Sequence, residues 1–185
     1  GLVKRLSHDP GCGLDRLELG RVSRSSAEQR AGRAGRQGPG FCVRLWSAGE
    51  HAGLIAHDPP EVRRVDLAGP VLQLLAWGEA DPGALPWLEA PPADRLSAAR
   101  ELLERLGAVD RAGVTATGRR LASLPVHPRL GRLLLEAHRL GCLERAALAA
   151  ALLSERLPAT VAADGGDLEE VLDQLTERRS ELPPQ

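Results

Sequence analysis

The sequence predicts a mixed fold that is mostly α-helical, with a short α/β segment at its start and helices over the remainder. Leucine and alanine dominate the 185 residues and aromatic residues make up only 2%, a composition that favours helices over strands. Longer strand-like stretches occur only before residue 50, whereas apolar residues recur at helical spacing from residue 67 onward. A hydrophobic content of 43% is enough for one or two packed domains.

A β-hairpin is the first predicted element. Residues 3–7 can form a short strand, and residues 14–19 partly alternate apolar with charged side chains. Between them, Asp9–Gly13 contains the proline and glycines of a turn. Because both faces of the hairpin tip would be exposed, we expect it to project from the protein.

A helix and a buried strand are predicted next. Ser25 followed by Glu28 is a capping-box pattern, so we expect a helix to begin there, run through Arg36 and stop near Gly38. Residues 41–46 form a nearly continuous apolar run, which is typical of a strand buried in an α/β sheet. The break after His57 marks the predicted domain boundary, so the first domain spans residues 1–57.

Residues 58–125 are predicted to form a winged helix. One helix is expected over residues 67–77, and a second begins at its cap Asp94 and ends at Gly107. Two short strands around a tight turn follow near residues 109 and 114. Two helices followed by a small hairpin are the element order of a winged helix.

Residues 126–185 are predicted to form a small, incomplete helical bundle. Pro128 would open one helix, which Gly141 ends. A short Ala/Leu-rich helix is expected over residues 144–154 and a polar one over residues 167–181.

The candidate catalytic and nucleotide-binding residues are Gln29, Arg33 and Arg36. On an ideal α-helix these side chains fall within about 60° of one another, on one face. Gly32 and Gly35 share a different side, where the missing side chains would let another backbone approach. Because each helical glycine costs about 1 kcal/mol relative to alanine, a ligand explains this helix better than packing does.

A nucleoside triphosphate is the ligand that suits this face. A fixed guanidinium can stabilise charge on the γ-phosphoryl group, and an amide can orient the attacking water. The alternative interpretation is a solvated arginine face on an ordinary helix. For an isolated pair of arginines at this spacing we would favour that alternative. For the whole string from Gln29 to Arg36 we favour nucleotide binding.

The string from Gln29 to Arg36 resembles motif VI of the DEAH-box helicases of superfamily 2. Residues 60–78 resemble the entry to the winged-helix domain of that family, and residues 106–131 resemble its helicase-associated region. The stretch 72–88, with two Trp-containing pairs, is most similar to the bacterial HrpB subgroup. The resemblance implies that residues 1–57 are the C-terminal portion of the second RecA-like domain, truncated here.

The resemblance also implies roles for individual residues. Gln29 would position the hydrolytic water, while Arg33 and Arg36 would contact the γ-phosphate, with Arg36 as the arginine finger. The hairpin tip would engage a single strand of RNA or DNA. Arg129 and Arg132 are candidates for contacts with that strand in the nucleic-acid channel.

Two motifs needed for ATP hydrolysis are missing from the sequence. The only lysine, Lys4, is not in a phosphate-binding loop, and no Asp-Glu dipeptide is present to bind Mg²⁺. We therefore expect ATP and Mg²⁺ to be used only by an intact enzyme that has an N-terminal RecA-like domain before Gly1. The absence of methionine also predicts a fragment, inactive alone.

The alternative function is a free-standing winged-helix module that binds nucleic acid or acts as an adaptor without ATPase activity. Residues 51–185 carry fifteen Lys/Arg against twenty Asp/Glu, which argues against nucleic-acid binding by that part alone. The three cysteines are far apart and form no C-x-x-C pair, which predicts free thiols in a reducing cytoplasm and no metal site. No signal peptide or membrane span is predicted.

Overall fold

The computed structural model describes residues 1–9, 14–154 and 167–180. The described chain is mostly helical with four strands, which confirms the predicted mixed, mostly α class. It divides into two compact units, one made of residues 1–67 and 81–99 and the other of residues 68–80 and 100–185. The predicted domain limits at 57/58 and 125/126 stay predictions. The main elements in chain order are β1 (Leu2–Asp9), β2 (Leu14–Arg21), α1 (Arg24–Gly32), α2 (Ala48–Ala52), α3 (Ala68–Trp77), α4 (Ala93–Arg105), β3 (Val109–Asp110), β4 (Gly113–Val114), α5 (Ala116–Ala122), α6 (Pro128–Leu140), α7 (Leu143–Ser154) and α8 (Leu168–Ser180).

The first unit begins with the predicted β-hairpin. Strands β1 and β2 are antiparallel, with Leu2 opposite Arg21 at the base and Asp9 opposite Leu14 at the far end. The hairpin is therefore longer than the sequence indicated, because backbone pairing continues on both sides of the apolar stretch. The predicted tip at residues 10–13 lies outside the described residues.

A small apolar core holds the base of the hairpin against α1. Val22, Ala27 and Leu54 are buried together, and the partly buried Val3 and Trp46 pack against them. Val22 directly follows β2 and Ala27 is in the first turns of α1, so this core fixes where the helix begins relative to the hairpin.

The predicted buried strand at residues 41–46 is wrong. This segment has no strand pairing, and Phe41, Val43 and Leu45 are 96%, 82% and 91% exposed. A buried strand needs neighbours for its backbone N–H and C=O groups. In the described part of the chain, the four strands form only two separate antiparallel pairs, so residues 41–46 find no sheet to join.

The predicted start of α1 is also corrected. The N-cap is Ser23 rather than Ser25, and its side-chain oxygen accepts a hydrogen bond from the Ser26 backbone N–H at 3.1 Å. The α-helix ends at Gly32, and residues 33–35 continue as one 3₁₀ turn. Ser23, Ser25 and Ser26 could each cap a helix, and Ser23 is the N-cap because it also bonds to Asp58.

The second unit packs α3, α5 and the small hairpin β3–β4 around buried leucines. Leu72 of α3, Leu103 of α4 and Leu121 of α5 are almost completely buried. The hairpin pairs Val109 with Val114 and confirms the two short strands expected there. Asp94 is not the cap of α4, because the helix begins at Ala93 and Asp94 lies in its first turn.

The last three helices follow the sequence closely. Helix α6 spans Pro128–Leu140 and is capped by Gly141, whose φ of 76° is the left-handed conformation that glycine adopts most easily. Helices α7 and α8 pack through buried Val171 and Leu172 of α8, and Arg145 of α7 contacts Asp173 of α8 at 2.6 Å.

Candidate functional site

The start of α1 is anchored by Ser23, which the sequence interpretation missed. Ser23 is completely buried. Its hydroxyl accepts from Ser26 N–H and donates to Asp58 Oδ2 at 2.8 Å. Because the partner in this second bond lies 35 residues away, a local capping pattern could not reveal it.

The three candidate catalytic side chains lie at the other end of this helix. Gln29, Arg33 and Arg36 are all exposed. In a 3₁₀ turn residues i and i+3 eclipse each other, so the turn at residues 33–35 keeps Arg33 and Arg36 in line. Within the residues that the structure describes, none of these three side chains has a hydrogen bond or ion pair. They form a row of polar groups without partners.

Gly32 and Gly35 lie beside this row in open surroundings. A Cβ atom built at either position would meet no described atom within 4 Å. Neither residue has a positive φ, so the backbone would accept another residue there. Packing within the described chain therefore gives no reason for glycine at these positions.

Gly40 differs from Gly32 and Gly35 because its surroundings are crowded. A Cβ atom at Gly40 would lie 2.0 Å from the Ala34 carbonyl oxygen. The loop after the 3₁₀ turn therefore folds back against it, and only glycine permits this approach. This contact holds the turn that carries Arg33 and Arg36.

Asp58 lies near the start of α1 and interacts with Arg5, Ser23 and Arg64. Partial burial acts to raise the pKa of its carboxyl group, but hydrogen bonds from Arg5 and Ser23 and the charges of Arg5 and Arg64 outweigh burial and lower that pKa. Asp58 is therefore ionised at neutral pH, as a carboxylate bonded to a guanidinium should be.

The two channel candidates lie on α6 in the second unit. Arg132 forms a 2.8 Å ion pair with Glu136, which also pairs with Arg139 at 2.9 Å. Arg129 is half-buried, and its Nε is buried with no hydrogen-bond partner among the described residues. Gln29, Arg33 and Arg36 are in the first unit.

The described residues contain no group of three or more His, Cys, Asp or Glu side chains arranged to hold a metal ion. Among the described helices, none combines the length and the apolar character needed to cross a membrane.

Comparison with known proteins gives a consistent set of relatives. No protein-family profile matches the chain. It is 38% identical over 180 residues to the probable ATP-dependent RNA helicase DHX34 of Mus musculus, a match that spans 97% of the chain and 15% of that protein. It is 41% identical over 147 residues to the ATP-dependent RNA helicase HrpB of Escherichia coli, which spans 80% of the chain and 18% of that protein.

The structure is also similar to a solved structure of the same bacterial protein. The crystal structure of the Escherichia coli DEAH/RHA helicase HrpB superposes with a TM-score of 0.73 at 35% sequence identity. This match covers 96% of the chain and 24% of the solved one. The chain thus spans less than a fifth of the length of the two curated relatives described above.

Proposed function

The homologues of this chain are DEAH-box ATP-dependent RNA helicases, and from this premise we propose that it is one part of such an enzyme. Its role in the complete protein is to supply α1 and the 3₁₀ turn that follows it to the site of ATP hydrolysis. The row formed by Gln29, Arg33 and Arg36 carries this proposal, because three polar side chains are held in line and have no partner within the described residues.

Each side chain of the row has a chemical task. The guanidinium of Arg36 is the arginine finger, which stabilises the charge that spreads over the transferred phosphoryl oxygens. Arg33 contacts the γ-phosphate through its planar fork, a geometry that lysine lacks. The amide of Gln29 orients the water that attacks the phosphorus. The open side at Gly32 and Gly35 receives the backbone of the partner domain.

The remaining parts of the site lie elsewhere in the complete enzyme. ATP and its Mg²⁺ need a phosphate-binding loop and an acidic box, and neither motif occurs in the 185 residues. We assign both to an N-terminal RecA-like domain of the same polypeptide. The chain alone is then inactive as an ATPase.

The exposed apolar segment at residues 41–46 fits the same proposal. Phe41, Val43 and Leu45 alternate along it and are almost fully exposed, which is unfavourable in water at about 25 cal/mol per Å² of apolar surface. In the complete enzyme another part of the protein covers these exposed apolar side chains. Residues 1–57 are then the end of the second RecA-like domain.

We assign the remaining residues to the channel for the nucleic-acid strand. Residues 58–125 form a winged helix from α3, α4 and the hairpin β3–β4, and residues 126–185 form the helicase-associated bundle. The hairpin β1–β2 engages a single strand of RNA, since the relatives are RNA helicases. Arg129 and Arg132 are candidates for contacts with its phosphates.

A cytoplasmic location stays a prediction, and a free-standing binding module is not favoured by helicase relatives.

The experiment that tests this function is Arg36→Ala in the complete helicase. We expect the rate constant of RNA-stimulated ATP hydrolysis to fall by about 10³ or more, because the finger acts in the transition state. ATP binding should change little. The matched control is Arg24→Ala, which removes an exposed arginine from the opposite end of α1. Near-normal hydrolysis in Arg36→Ala would exclude the proposed role.

A further inference from the structure

A segment of residues 55–64 connects the start of α1 to the hairpin. At its first end, the backbone N–H of Arg24 donates to the Ile55 carbonyl at 2.8 Å, and the N–H of Ser25 donates to the Ala56 carbonyl at 3.0 Å. These N–H groups belong to the end of the helix whose donors have no partner within the helix. The segment therefore completes the first turn of α1.

The other end of the 55–64 segment follows strand β1. Arg64 donates from Nη1 to the Leu6 carbonyl at 2.6 Å, and the His8 backbone N–H donates to the Arg64 carbonyl at 2.7 Å. The Nε of Arg64 donates to the Pro59 carbonyl of the same segment at 3.1 Å. The segment is thus bonded to β1 over several residues.

The carboxylate of Asp58 connects the start of α1 to the hairpin. Its Oδ2 accepts from the buried Ser23 hydroxyl, and its Oδ1 accepts from Arg5 Nε at 2.9 Å and also from Arg5 Nη2. The same Nη2 donates to the Arg21 carbonyl at 2.7 Å, so Arg5 bridges β1, β2 and Asp58. These bonds form one relay, Arg5–Asp58–Ser23.

Gly20 provides the room that Arg5 needs. A Cβ atom at Gly20 would lie 2.8 Å from Arg5 Nη1. The guanidinium therefore lies directly over the backbone of β2, and only 19% of the Arg5 side chain is exposed. A side chain held in this way transmits a displacement better than a freely rotating surface arginine does.

We propose that Asp58 is a positioning residue that couples the hairpin to α1 and, through it, to the following 3₁₀ turn with Arg33 and Arg36. The inference rests on the proposed function, in which a nucleic-acid strand binds the hairpin β1–β2. When the strand displaces the hairpin, Arg5 moves with it, and Asp58 carries this movement to the N-cap of α1. The orientation of the arginine row then depends on whether the strand is bound, so nucleic acid stimulates hydrolysis through this relay.

The test is Asp58→Asn in the complete helicase. An amide has one acceptor oxygen where the carboxylate has two, so it can still receive the Ser23 hydroxyl but cannot also receive the Arg5 fork. We expect ATP hydrolysis without RNA, and the affinity for a single-stranded RNA oligonucleotide, to stay within about twofold of wild type. Stimulation of hydrolysis by that oligonucleotide should fall about tenfold, a typical coupling between two sites.

Two further variants sharpen this test. Arg5→Lys keeps the charge but lacks the planar fork, so it should lower the stimulation ratio similarly, and the double variant should lose no more than either single one. Arg63→Ala is the matched control, since Arg63 lies in the same segment and pairs at 3.2 Å with exposed Glu89. It should keep the wild-type ratio.

The outcomes separate this inference from the proposed function. A wild-type stimulation ratio in Asp58→Asn, while Arg36→Ala abolishes hydrolysis, would overturn the relay alone. An equal loss of hydrolysis with and without RNA would overturn it as well, because a purely structural support lowers both rates. Hydrolysis that survives Arg36→Ala, or a complete protein that hydrolyses no ATP, would overturn the proposed function and the relay together.

Discussion

Gly32 and Gly35 are residues whose identity the described chain does not itself require. Both lie in or next to α1, neither has a positive φ, and a Cβ atom at either would meet open space. A glycine in such a position lowers helix stability and stabilises nothing in return within the described residues. This is the pattern expected of a surface to which another part of a larger protein docks.

Gly32→Ala should therefore have opposite effects on stability and on activity. In this chain the substitution should raise the free energy of unfolding by up to about 1 kcal/mol, since alanine favours the helix and meets no clash. In the complete helicase it should lower the rate of ATP hydrolysis, because the new methyl group obstructs the approaching domain. Urea denaturation and a steady-state ATPase assay measure the two effects.

Gly38→Ala is the control for this pair of measurements. Gly38 also has no described atom within 4 Å of a Cβ position, but it lies beyond the 3₁₀ turn. It should leave hydrolysis unchanged. If Gly32→Ala also leaves hydrolysis unchanged, no other domain approaches this side of the helix.

At the scale of secondary-structure elements, the sequence predicted most helices within two residues of their ends. Periodicity and strong stop signals, such as Gly141 after α6, explain this agreement. The prediction from sequence failed for residues 41–46, because an apolar run forms a strand only where a sheet is available to pair with it. The sequence analysis missed α2 and α5, since five and seven residues are too few for a clear helical period.

The candidate site shows the same division between local and tertiary information. The string from Gln29 to Arg36 is local, so its residues could be named from the sequence. The contacts of Ser23 and Arg5 with Asp58 join residues 35 and 53 positions apart. No local pattern contains such contacts, and they became apparent only when the hairpin, α1 and the 55–64 segment were folded together.

Close packing of α5 against the β3–β4 hairpin gives a prediction for the second unit. A Cβ atom at Gly118 would lie 2.0 Å from the Ala108 carbonyl oxygen and 2.8 Å from Val114 Cγ1. Gly118→Ala must push α5 away from both residues, so it should lower the free energy of unfolding by about 1–3 kcal/mol. The shift in the urea midpoint measures this loss.

Gly69→Ala is the matched control, because its Cβ position in α3 meets only the Pro128 Cδ, at an ordinary distance of 3.9 Å. It should keep or raise the wild-type midpoint. Equal midpoints for the two variants would contradict the close approach of α5 to Ala108.

At the scale of the whole molecule, the first unit has two exposed features that bear on its role. The first unit presents the arginine row and the apolar segment at residues 41–46, and both have the properties of surfaces that other parts of a larger protein cover. The second unit has a buried leucine core and helices α6 to α8. The chain also spans only 15% and 18% of the two curated relatives described above. These observations together support the proposal that the chain is one part of a helicase.

The position of Arg36 relative to the transferred phosphoryl group tests this account most directly. It can be measured in a crystal structure of the complete helicase with ADP, Mg²⁺ and a fluoroaluminate, an anion that mimics that group. We expect the guanidinium groups of Arg33 and Arg36 both to lie at hydrogen-bond distance, about 3 Å, from the fluoroaluminate. Guanidinium groups that face solvent, with the anion held entirely by other residues, would contradict it.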